Sequence, residues 1–290
     1  MIPPTLLTFL ILILCLLQTI VVNAQNVPAE CLPSVPPTQV APVTGPGAAD
    51  IIFFIDTSGS MGDESDLVIQ NLNAFGQHLE DEGIDYRLIL VGDDRSCCRL
   101  CVNPPLSASS CAITGPKFLK VEEYIGSTDA LDRTLNSAVY NKYSTFLRAN
   151  AAKTIVYVSD DKIQGNYRCI FENTAPCKIA TANRFFADLH VLDQTNQFFA
   201  PTPKLPHGVM IHSIDGHTCC SPREPGCGYS YTYQGLAEVT GGANFVLCND
   251  NWSTYFSTIA GAVAATTGMF VIIFFSRVSF IKELFDTSGD

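Results

Sequence analysis

Ile52-Phe53-Phe54-Ile55-Asp56-Thr57-Ser58-Gly59-Ser60-Met61-Gly62 is the stretch that decides the fold. An unbroken apolar run ahead of the first polar residue reads as a strand covered on both faces, as in a parallel sheet. Asp56 closes the run, and Ser58 and Ser60 then set two hydroxyls beside its carboxylate. Carboxylate and hydroxyl oxygens are hard donors, so the spacing reads as a loop for a hard divalent cation: Mg²⁺, Mn²⁺ or Ca²⁺. Gly59 is read as the residue that lets the loop turn tightly enough for both serines to face one point.

Outward from this stretch, short apolar runs alternate with amphipathic ones. Strands are predicted at 51–55, 86–91, 154–158, 208–214 and 244–247, and helices at 63–82, 128–148, 179–192 and 233–239. Strand alternating with helix implies parallel pairing and right-handed crossovers, which put helices on both faces. The expected fold class is therefore α/β: a doubly wound, mostly parallel sheet. Ligands of such sheets sit beyond the carboxyl ends of the strands, where Asp56 and Asp160 both fall.

Two further loops extend the first. Gly126-Ser127-Thr128-Asp129 opens a predicted helix, and Val158-Ser159-Asp160-Asp161 ends a predicted strand. Together with Asp-x-Ser-x-Ser, their order and context resemble the three metal loops of the von Willebrand factor type A (vWA) domain. The resemblance covers residues 49–265, about three quarters of the chain. It implies a metal-ion-dependent adhesion site with Asp56, Ser58, Ser60, Thr128 and Asp160 as ligands, Thr128 being preferred to Ser127. It also implies an open coordination position that accepts an Asp or Glu carboxylate from a partner protein. Asp63 and Glu64 resemble the adjacent metal site of integrin β subunits, although acidic residues there also complement a helix N-terminus without any ion. The plainest alternative for the first loop is an Asp and hydroxyls that cap the following helix.

The ends of the chain read differently. Residues 1–24 carry no charge and finish in Val22-Asn23-Ala24, as a signal peptide does, with an uncleaved anchor as the alternative. Residues 25–48 are a Pro-rich linker, 49–265 the vWA-like domain, and 266–290 an apolar tail. The uncharged run 258–275 is long enough to cross a bilayer, yet 252–266 also reads as the domain's last helix, and the two claims overlap. The expected location is extracellular, secreted or membrane-tethered.

Twelve cysteines in a chain routed for export read as disulfides. Removing Cys15 with the leader leaves eleven, an odd number. Cys97, Cys98, Cys101 and Cys111 form one cluster, Cys169 and Cys177 a second, and Cys219, Cys220 and Cys227 a third. Each falls between predicted core elements, so they read as disulfide-stapled surface insertions. Zinc held by Cys98, Cys101 and His217 is the competing reading, weakened because no second Cys-x-x-Cys completes a set.

With 17 basic and 28 acidic residues the net charge is −11, and no Lys/Arg-rich run appears, which removes the footprint of a nucleic-acid binder. Gly-x-Ser-x-Gly and phosphate-loop motifs are absent, and the five histidines are scattered. The expected function is therefore non-enzymatic protein binding through the cation. Two alternatives stand beside it: a structural extracellular module whose disulfide-bonded insertions carry recognition, and a metal-dependent hydrolase. Asn251-Trp252-Ser253 is a glycosylation sequon in which Trp252 is read as a packing residue.

Overall fold

Ala48–Ile55 forms β1, the central strand of a seven-stranded sheet in a computed structural model that describes residues 47–94, 99–169, 175–216, 230–248 and 251–267. The predicted leader, most of the linker, the third cysteine cluster and residues 268–290 lie outside the described residues. After β1 come α1 (Gly62–Asp81), β2 (Asp85–Val91), β3 (Thr114–Gly115), β4 (Phe118–Val121), α2 (Ala130–Thr134), α3 (Ser137–Ser144) and β5 (Ala152–Ser159). The chain continues through a 3₁₀ turn at Gly165–Tyr167, then α4 (Ala175–Leu192), β6 (Met210–Asp215), α5 (Tyr231–Thr240), β7 (Asn244–Val246) and α6 (Trp252–Thr267).

The sheet order is β3-β4-β2-β1-β5-β6-β7, and every neighbouring pair is parallel except β3 with β4. This is the expected α/β class with a mostly parallel sheet. Its two faces explain the continuous apolar run. Ile51, Phe53 and Ile55 join Val68, Leu72 and Phe75 of α1 and Phe256, Ile259 and Val263 of α6 in one core cluster. Ile52 and Phe54 join Tyr143 of α3, Phe185 of α4 and Leu236 of α5 in another. Each such side chain contributes about 1.5–3 kcal/mol on burial, so β1 is anchored from above and below.

The chain lays β2 and β4 on one side of β1 and then crosses to β5 on the other. The strand order thus reverses between β1 and β5, and the crevice at their carboxyl ends is where such sheets bind ligands. Ile55 pairs with Val158 in register, which puts Asp56 and the Ser159-Asp160 step side by side at that crevice.

Three expectations need correction. The single helix at 128–148 is two short ones, because Asn136 leaves helical geometry (φ −73°, ψ 120°) and its side chain accepts from the N–H groups of Ala138 and Val139, starting α3 afresh. Strand β4 was not predicted, since Lys120 interrupts its apolar pattern; the lysine is buried and paired with Asp94 at 2.6 Å. The segment after β2 is more than a surface insertion: Leu100, Val102 and Leu106 enter the α1-side core. Two disulfides occur among the described residues, Cys101–Cys111 and Cys169–Cys177, each within one sequence cluster. Cys101 is therefore not available to zinc.

Helix α6 buries Trp252, Phe256, Ile259 and Val263 on the sheet, so residues 258–267 of the apolar run are packed in the domain. Among the described residues no helix is long and apolar enough to cross a membrane. The end of α6 lies against the start of β1: a methyl group placed on Gly47 would come within 2.3 Å of Thr267 Cβ.

Candidate metal centre at the strand switch point

Asp56 is almost completely buried at the end of β1, and its carboxylate is held from two directions. The Ser58 N–H donates to Oδ1 at 2.8 Å, closing the loop on itself, and the Ser159 hydroxyl donates to Oδ2 at 2.7 Å, reaching across from β5. The Asp56 N–H in turn donates to the Val158 carbonyl at 2.9 Å. First and third loops are thus joined through both backbone and side chain.

The second loop is tied in less directly. Thr57 is bonded to Ile125, which follows β4, through both backbone and side chain: its N–H donates to the Ile125 carbonyl at 2.9 Å, and its Oγ1 accepts from the Ile125 N–H at 3.3 Å. Gly126 N–H donates to Asp129 Oδ1 at 2.7 Å, which fixes the turn that carries Ser127 and Thr128. Ser159 Oγ lies 3.4 Å from the Ser127 carbonyl and accepts from the Asp161 N–H at 3.1 Å. Ser159, absent from the sequence-predicted ligand set, is the hub where the three loops meet. Its place directly before Asp160 was the available signal.

The ligand candidates fare differently. Asp56, Ser58 and Asp160 converge at the crevice, while Thr128 sits half-buried on the second loop with its carbonyl accepting from Gln164 N–H at 3.2 Å. Ser127, the other hydroxyl of that loop, is likewise half-buried. Ser60 is exposed at the apex of a turn closed by Met61 N–H donating to the Ser58 carbonyl at 3.2 Å. Gly59 has neither a left-handed φ nor a close neighbour, so this turn does not require glycine. Asp63 and Glu64 occupy the first turn of α1, where they complement its positive end.

The crevice crowds its carboxylates together. Burial pushes the Asp56 carboxyl up to about 6 despite the stabilising bonds from Ser159 and Ser58, and the neighbouring Asp160 charge adds to the rise. Asp161 is raised by burial and by Asp160 as well. One oxygen of Asp160, Oδ1, is buried with no hydrogen-bond partner among the described residues. A carboxylate oxygen in that state, beside a second buried carboxylate, is energetically costly unless a cation joins it. Among the described residues no group of three or more His, Cys, Asp or Glu side chains could hold a metal. The donor set here is instead two carboxylates completed by hydroxyls, which suits a hard oxygen-seeking ion and no soft one.

No protein-family model and no curated protein matches this chain.

Proposed function

We propose that this chain is an extracellular vWA-type module that binds a protein ligand through a divalent cation, Mg²⁺ or a similar hard ion. Asp56, Ser58, Ser60, Thr128 and Asp160 would hold the ion, with Asp56 and Asp160 supplying the charge. The ion would supply a Lewis-acidic position for an Asp or Glu carboxylate of the partner. The observation that carries this reading is the pairing of a buried Asp56, its carboxyl pushed up to about 6, with the Asp160 Oδ1 that has no partner among the described residues, at the point where strand order reverses. The protein's own part is orientation. Ser159 fixes the plane of the Asp56 carboxylate, and the Asp129 cap holds the loop that presents Thr128.

The structural-module alternative gains nothing from the packing, because the first cysteine-bearing segment spends its large apolar side chains on the domain core. The deciding experiment is calorimetric titration of Mg²⁺ into the chelator-treated protein. One site is expected in the wild type and none in Asp56→Ala of retained circular dichroism. Equal heats in both would refute the assignment.

A further inference from the structure

Tyr233 poses a separate question. Its ring is buried, stacked on Tyr157 at 5.1 Å with planes 26° apart, and its hydroxyl is buried without a hydrogen-bond partner among the described residues. Tyr157 lies on β5 two residues before Ser159, the residue whose hydroxyl grips Asp56. Tyr233 itself is fixed at the start of α5, where Ser230 Oγ accepts from its N–H at 3.4 Å. The ring is held in place by its burial and by its stacking on Tyr157. Buried phenols nearly always find a partner, so an orphaned one held rigidly beside a ligand crevice needs a reason.

We propose that the Tyr233 hydroxyl is a positioning donor of the cation centre, taking up its hydrogen bond to the Asp56 carboxylate, directly or through one water, when the ion is in place. A carboxylate accepting from Ser58 and Ser159 still has lone pairs to offer. The charges felt by the phenol agree: burial raises its pKa most, and the Asp56 charge is the next contributor, ahead of Tyr157, Asp215 and Asp129. Donors that orient a metal-binding carboxylate are worth about 10–100-fold in metal affinity. The inference rests on the proposed cation site at Asp56 and goes beyond its ligand set.

The test is Tyr233→Phe, which keeps the ring and its stacking. A hydroxyl with a structural partner would cost stability when removed; one without a partner costs nothing or less than nothing. In chelator the melting temperature of Tyr233→Phe should equal or exceed that of the wild type, while its Mg²⁺ affinity falls about tenfold. With Tb³⁺ as a luminescent stand-in, the variant at saturating ion should lose most of the tyrosine-sensitised emission. Unchanged Mg²⁺ affinity, or a lowered melting temperature in chelator, would overturn the role of Tyr233 and leave the Asp56 site standing. No Mg²⁺ or Tb³⁺ binding by the wild type would remove the site and this inference together.

Discussion

Asp56 and His212 are buried groups whose acidities are displaced in ways that act against each other on acidification. Asp56 is pushed up to about 6 from an ordinary 3.8, so the folded protein binds the extra proton between those values and gains stability as pH falls through that window. His212 has its Nδ1 accepting from Ala243 N–H at 3.0 Å, and burial lowers its pKa to about 4 from 6.5. Here the unfolded chain binds the extra proton, and stability is lost as pH falls from 6.5 to 4. Each displacement corresponds to about 3 kcal/mol. In chelator, Asp56→Asn should therefore be more stable than the wild type at pH 7 by about 2–3 kcal/mol, and the advantage should vanish near pH 4. His212→Asn should gain on the wild type over the same acid range. Urea midpoints at the two pH values measure both, and parallel curves for wild type and variants would contradict the assignment.

At the scale of single elements, α6 and the α2–α3 break are the places to press. Phe256 of α6 stacks on Phe53 of β1 at 5.7 Å and meets Phe75 of α1 edge-on at 5.4 Å, so one ring couples three elements. Phe256→Ala should cost about 3–5 kcal/mol, read as a shift in the urea midpoint. Asn136→Ala, which removes only the cap of α3, should cost about 1 kcal/mol. These same elements show how far the sequence could be read. β1 and β5 were legible because a strand covered on both faces is apolar throughout, whereas α6 was legible only as one of two overlapping claims on the apolar run, since a helix packed on a sheet and one crossing a bilayer are both rich in apolar residues. β4 was not, because its central Lys120 is neutralised by Asp94 from a distant loop, a partner that periodicity cannot reveal. The same limit applies at the crevice. Asp56 and Asp160 were identifiable from their place after apolar strands, but Ser159 and Tyr233 gain their meaning only once β1, β5 and α5 are brought together.

Across the molecule, the opposite end of β1 from the crevice carries its own charged knot. Asp50, fully buried, accepts from Arg148 Nε at 2.8 Å and from the Arg148 N–H at 2.7 Å, with Lys153 Nζ at 3.4 Å. Lys153 also donates to the carbonyls of Arg148 and Ala151, both at 2.6 Å, and burial lowers its pKa. Removing the Asp50 charge would strand Lys153 in a dry environment, although Arg148 keeps Asp85 as a partner at 2.6 Å. Asp50→Asn should thus destabilise the fold by about 3–5 kcal/mol. Six residues of extended chain, about 20 Å, separate it from Asp56, so the Mg²⁺ affinity of the surviving folded fraction should match the wild type. A variant that weakened ion binding as well would mean the two ends of the strand communicate.

The meeting of Gly47 with Thr267 carries a mechanical consequence. Gly47 and Thr267 lie at the amino-terminal end of β1, and the crevice beside Asp56 lies at its carboxyl end. A pull between the crevice and either Gly47 or Thr267 would run lengthwise down β1, crosswise to its hydrogen bonds with β2 and β5. Those bonds would then be loaded in shear, all at once, instead of being unzipped one after another.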